Sequence, residues 1–195
     1  YTRAFAMMAI PAIAISIAVL FVRNTTGGIQ SSVYVLYLHG IGLAGTSIGI
    51  LIGAVEVAGA FGGLVSGQTI RRINPQWTLV VATAVAIAIV TVTPLLGGVY
   101  VLLLLAQVLR GTLQGMVQPV LFSIQSRSVG RNQQGAVVGL RQTMNRLASI
   151  IVPPLVGAAA DRWSIDDSFL IVGGGLLGVC VLLGLAVRYA PRLEL

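Results

Sequence analysis

VYVLLLLAQVLRGTLQGMVQP, residues 99–119, sets an apolar run against an arginine flanked by glutamines. A soluble helix would simply turn Arg110 to water, whereas a membrane helix has to give it a polar neighbour. The rest of the chain decides which solvent applies. Its 195 residues are 56% hydrophobic and 9% charged, with a mean hydropathy of +0.96. An ordinary soluble domain carries roughly a quarter charged residues. Several apolar runs approach or exceed the roughly 18–20 residues that cross a hydrocarbon core. The chain therefore reads as an all-α integral membrane protein.

Other classes have little support. The formal charge of +7 comes from twelve basic residues, all arginines, spread singly or in pairs. They form no dense patch with interleaved aromatics, so nucleic acid is not an expected partner. Cys180 is the only cysteine, which excludes an internal disulfide or a cysteine metal cluster; it reads as a small apolar filler. No Ser/His/Asp set, catalytic carboxylate pair, metal-ligand cluster or phosphate loop occurs at useful spacing. No enzyme activity, cofactor or metal is expected. His39 is placed in a loop, and Asn24-Thr25-Thr26 matches a glycosylation sequon by chance. The start at Tyr1, with no methionine and no signal peptide, reads as a piece of a longer chain.

Polar breaks divide the chain into six candidate helices in one transmembrane domain, at about 10–38, 44–67, 77–96, 99–124, 135–160 and 168–188. Proline and glycine at the breaks suit helix ends. The first span leaves two alternatives: one long helix with a polar middle, RNTTGGIQSS, or a span ending near Val22. The long helix is favoured, because VYVLYL, residues 33–38, would otherwise be a stranded apolar patch. Arg3, Arg71, Arg72, Arg127, Arg131, Arg188 and Arg192 fall on one side of this topology, and Arg162 with three aspartates on the other. That bias places both termini in the cytoplasm.

Arg23, Glu56, Arg110, Arg141 and Arg146 remain inside the spans. Arg110 lies about 15 Å below Tyr100 at helical rise, half of a roughly 30 Å core. Glu56 and Arg146 fall near the same depth, whereas Arg141 is close enough to the cytoplasmic end to snorkel out. A central charge costs about 2.5–3.5 kcal/mol to insert, so such residues face a bundle interior or a wet cavity. Gln107, Arg110, Gln114 and Gln118 share one helical face. Gln142, Asn145 or Arg146, and Ser149 form a second stripe, and Arg23, Gly27 and Gln30 a third. Three polar stripes suggest a hydrophilic pathway; the alternative is a sealed network in which Glu56 neutralises one arginine. Gly45, Gly49, Gly53, Gly59, Gly63 and Gly67 are expected to serve close helix packing.

Order and spacing of three motifs carry a resemblance over essentially the whole chain. GLVSGQTIRR, residues 63–72, is similar to the G-x-x-x-D-R-x-G-R-R loop of the major facilitator superfamily. Gly63, Arg71 and Arg72 match, while Gly67 and Gln68 replace the Asp-Arg pair and Ile70 the glycine, which puts a gating salt bridge there in doubt. AQVLRGTLQGMVQP is similar to the family's fourth-helix pattern, with Gln107 at the usual arginine and Arg110 at the usual glutamine. SIIVPPLVG, residues 149–157, resembles a fifth-helix Pro-Gly motif of exporters. The chain thus resembles the C-terminal six-helix half of such a transporter.

The resemblance implies about twelve helices in two halves, with a small-molecule substrate bound at midplane and alternating access by rocking of the halves. The missing N-terminal six-helix half and the lipid bilayer, of a bacterial inner membrane, are the expected partners. Arg110 and Arg146 are expected to bind an anionic group, assisted by Arg23, Asn24, Gln107, Gln114 and Asn145; arginine stays charged and grips a carboxylate in two-pronged fashion. Glu56 is the proton-coupling candidate or a structural counter-ion. The alternatives are an exporter of drugs or metabolites and a non-transporting six-helix scaffold or sensor.

Overall fold

The computed structural model describes residues 11–72, 74–96, 98–162 and 165–189. Arg3 and Arg192 lie outside the described residues, as do the side chains of Arg71, Arg72 and Arg131. Helix α1, Pro11–Ile29, continues through a π-helical turn, Gln30–Tyr34, into α2, Val35–Gly40. The polar middle of the first span therefore does not end the helix; it widens it for one turn, and His39 sits in the last turn of α2 rather than in a loop. The remaining helices are α3 Gly45–Arg72, α4 Pro75–Thr91, α5 Tyr100–Arg127, α6 Gln134–Arg162 and α7 Ile165–Tyr189.

Local chemistry explains the ends. Gly42 turns the chain between α2 and α3 at φ +82°, and Gly98 precedes α5 at φ +71°; both lie in the left-handed region that glycine adopts without strain. Asn74 caps α4, its side-chain oxygen accepting from the Gln76 N–H at 3.0 Å, with Pro75 in the first turn. That pairing satisfies an otherwise orphaned donor. At its other end α4 stops at Thr91, short of the expected 96, and a 3₁₀ turn covers Thr93–Leu96. Pro94 disfavours α-helical geometry in the residue before it.

Among the described residues four helical segments are long and apolar enough to cross a membrane: Ala12–Ile29, Gly45–Gln68, Tyr100–Arg127 and Asp167–Tyr189. Helix α4 is apolar but has 17 residues. Helix α6, with 29 residues, is the most polar, because it carries Arg141, Gln142, Asn145 and Arg146. The first of the four is 61% buried and the last 17%, which puts α1 at the centre of the bundle. The most extensive packing joins α3 to α5. Helices α4 and α7 pack on each other and lie behind α5 and α1, while α6 leans on α1. Helices α3, α5, α1 and α6 thus form a front layer, and α4 and α7 a back layer.

Two apolar clusters hold the layers together. One gathers Tyr34, Tyr37, Leu38, Leu51, Leu103 and Phe169, with the Tyr37 and Phe169 rings edge to face at 5.9 Å. The other gathers Val19, Leu20, Leu79, Val120, Leu121 and Val187. Buried hydroxyls bond within their own helices: Thr83 donates to the Leu79 carbonyl at 2.8 Å and Thr91 to that of Ile87 at 2.9 Å. In lipid this removes the cost of an unsatisfied donor.

The glycine stripe of α3 is used only in part. A Cβ on Gly59 would lie 3.5 Å from the Gly111 carbonyl oxygen and one on Gly63 3.8 Å from that of Gly115, whereas Gly45, Gly49, Gly53 and Gly67 have nothing within 4 Å. Six residues separate Gly53 from Gly59, which turns the stripe about two-thirds of the way round the helix, and Gly45, Gly49 and Gly53 lie on its exposed side. The tightest positions are Gly62, Gly111 and Gly115. A Cβ there would lie 3.0 Å from Thr112 Cα, 2.9 Å from Val55 Cα and 2.8 Å from Gly59 Cα, respectively.

Candidate functional site

Two open cavities of the front layer share α1. The first, of about 340 Å³, lies between α1, α3 and α5; Arg23, Glu56, Gln114 and Gln118 line it, over a floor of Gly59, Gly111 and Gly115. Those glycines do two jobs at once: they bring α3 and α5 into backbone contact, and by lacking side chains they leave the volume open. Glu56 is exposed on this face, near enough to Arg23 and Arg110 for their charges to attract. The second cavity, of about 510 Å³, lies between α1 and α6, lined by Asn24, Gln142, Asn145, Arg146 and Ser149 among others. Asn24 donates from Nδ2 to Asn145 Oδ1 at 2.6 Å, tying the helices together, and Arg146 is exposed. Both volumes fall in the usual range of about 300–1,000 Å³ for small-molecule sites.

Arg110 and Gln107 are elsewhere. Arg110 is 1% exposed and Gln107 5%, and they border a void of only about 10 Å³ with Gln30, Tyr34, Val90 of α4 and Thr93 of the 3₁₀ turn after it. That volume suits at most a single water. Arg110 donates from a terminal guanidinium nitrogen to Gln30 Oε1. The expectation that Arg110 points into the shared cavity is therefore corrected for this conformation: its guanidinium lies behind the wall. Gln107, Arg110, Gln114 and Gln118 do share a face of α5, but the neighbours of that face change along the helix. At Arg110 the face meets the π-helical turn and α4; one turn further it meets the open cavity.

The π-helical turn supplies the acceptor. Gly27 and Gly28 before it lower helix propensity, and the wider turn brings both Gln30 and the buried Tyr34 to the Arg110 side. Such insertions are frequent at functional sites. Nε of Arg110, Oε1 of Gln107 and the Tyr34 hydroxyl are buried without a hydrogen bond of good geometry, although Gln107 lies beside Tyr34. A prediction follows from the Arg110–Gln30 bond. Gln30→Leu leaves a buried cation unaccepted and is expected to destabilise by about 3–5 kcal/mol, the usual result of stripping one partner from a buried charge. The double variant Gln30→Leu/Arg110→Met is expected to recover most of that loss. Thermal unfolding in detergent decides it, and equal melting of single and double variants would discount the bond.

Arg141 also departs from expectation. It is 7% exposed, and its guanidinium carbon stacks 3.8 Å from the centre of the Phe122 ring on α5. It turns into the helix interface instead of snorkelling out. Depth alone suggested snorkelling; the missed signal is that Phe122 follows Gln118 by four residues, extending the α5 polar stripe with an aromatic platform. Gln118, Gln142 and Ser149 are further lining residues. Gly63 packs beside Gly115, and Arg71 and Arg72 end α3.

Among the described residues no group of three or more His, Cys, Asp or Glu is placed to hold a metal ion. What remains is an all-helical membrane bundle, apolar on its back and polar on one open wall. That architecture is a membrane-embedded helical bundle rather than a soluble binding module. The chain matches the Major Facilitator Superfamily model over residues 3–194 and belongs to that family. A search of curated proteins gave no match.

Proposed function

We propose that this chain is one wall of a secondary active transporter that moves a small organic anion by alternating access, with protons as the coupling ion. In this reading it is the C-terminal half, both termini are cytoplasmic, the membrane is a bacterial inner membrane, and an N-terminal six-helix half closes the site. The observation that carries it is the charge of the open wall: Arg23 and Arg146 line its cavities against the single carboxylate of Glu56. A wall with surplus fixed cations in a low dielectric favours an anionic solute. Asn24, Gln114 and Asn145 supply hydrogen bonds that fix its orientation. Arg110 acts from behind the wall, through Gln30, and Gln107 beside it.

The test is counterflow into liposomes containing the full-length protein, with dicarboxylates and phosphate esters set against neutral sugars and cationic amines. Anions are expected to exchange, and Arg146→Gln is expected to raise KM for them by about tenfold, the loss of one charged hydrogen bond. Exchange of cations or sugars alone would refute the anionic assignment. The exporter reading has one point in its favour, residues 149–157, and predicts flux directed outward from right-side-out vesicles.

A further inference from the structure

The most unusual charge arrangement lies at the junction of α1, α5 and α6. Arg141, nine-tenths buried, leaves Nε and Nη1 without a hydrogen-bond partner, and Nε of Arg23 is likewise unpartnered. Gln118 Oε1, from the helix between them, is also buried and unpartnered. Gln114, Gln118 and Phe122 follow one another at four-residue spacing along α5. Arg23 shares a cavity with Gln118, and Arg141 stacks on Phe122 one turn further on. The two guanidinium groups therefore sit about one helical turn apart along the same side of α5. Their charges repel, and among the described residues no carboxylate partners Arg141. Glu56, the only acidic residue away from the ends of the spans, already acts on Arg23 and Arg110.

Two like charges held close with free N–H groups are costly unless something negative is shared between them. A planar cation stacked on an aromatic ring keeps its edge available, so its donors stay in the plane of the ring face. We propose that Arg23 and Arg141 form a paired-arginine anion site that grips a carboxylate or phosphate group of the transported solute, with Phe122 as the platform that orients Arg141. This inference rests on the transporter reading above and deepens it. The site lies toward the end of the wall where α5 ends and α6 begins, and its Arg23 side opens on the cavity of α1, α3 and α5.

The experiment uses the full-length protein, purified in neutral detergent, with thermal unfolding measured in succinate or inorganic phosphate against chloride at equal ionic strength. At least one of the two anions is expected to raise Tm. Arg23→Gln and Arg141→Gln are each expected to abolish that rise, and Phe122→Leu, which keeps both charges, to weaken apparent affinity about tenfold. Arg188→Gln, at the exposed end of α7, is expected to leave it intact. No rise with either anion, or a rise that survives both arginine variants, overturns the proposal. Should the arginine variants fail to fold, Phe122→Leu and Arg141→Lys decide in the same way, because the lysine keeps the charge but loses the fork. Stabilisation by anionic lipid alone, absent with soluble anions, would make this a headgroup site and also overturn it. Anion-dependent stabilisation without flux in liposomes would leave the paired site standing and remove the transport reading. Flux of anions in liposomes without any such stabilisation would do the reverse.

Discussion

Gly115→Val is expected to abolish monodisperse protein, and Gly115→Ala to lower Tm clearly. Overpacking a core usually costs about 1–3 kcal/mol, because side chains shift to make room. Here the neighbour is the backbone of α3: a Cβ on Gly115 would lie 2.8 Å from Gly59 Cα, and neither atom belongs to a side chain that can rotate away. The helices would have to separate along their most extensive contact. Separation would also open the floor of the cavity that holds Arg23 and Glu56. Gly62→Val on the opposite helix is expected to act the same way. Gly178→Ala on α7, with nothing within 4 Å, should be neutral or slightly stabilising, since alanine is the better helix former by about 0.5–1 kcal/mol. Size-exclusion profiles and thermal unfolding of the full-length protein measure all four. If Gly115→Val unfolds with the parent, α3 and α5 are not in backbone contact.

The second large effect concerns Glu56. Glu56→Gln is expected to eliminate proton-driven accumulation while exchange of preloaded substrate continues. The carboxylate faces the open cavity beside Arg23, where an incoming anion would compete with it. A proton bound to the carboxylate would remove the competing charge and free Arg23 for substrate, which links the two binding events. Glutamine mimics the protonated state at every pH. The variant should therefore bind tightly without pH dependence and lose the linkage that lets a proton gradient do work. Uptake with an imposed pH gradient, compared with counterflow without one, separates the two processes. Persistence of both would make Glu56 a fixed counter-ion for Arg23 and Arg110.

Much of the architecture was legible in the chain. An apolar composition leaves lipid as the only favourable solvent, and in lipid the backbone must satisfy itself as helix. Run lengths then mark the helices, with Asn74-Pro75, Gly42 and Gly98 at their ends. The polar middle of the first span was the ambiguous point. Its glycines and serines allow a break, but the otherwise stranded VYVLYL favours one long helix, and the structure has that helix with the mismatch absorbed as one π-helical turn. Periodicity also assigned Asn145, Arg146, Gln114 and Arg23 to polar faces, and all four line the open cavities.

The sequence by itself determined the solvent, the helices, the depth of each charge and the side of its helix on which each charge lies. Those properties follow from local periodicity and the cost of a charge in hydrocarbon. Only the tertiary structure decided what each face meets. One polar stripe on α5 is divided between a sealed interior at Arg110 and an open wall at Gln114 and Gln118, and Arg141, shallow enough to reach water, is captured by Phe122. A helix repeats every 3.6 residues about its own axis, but its neighbours change wherever other helices cross it. Those crossings are fixed by long-range contacts such as Gly59 on Gly115, which no single segment of the chain encodes.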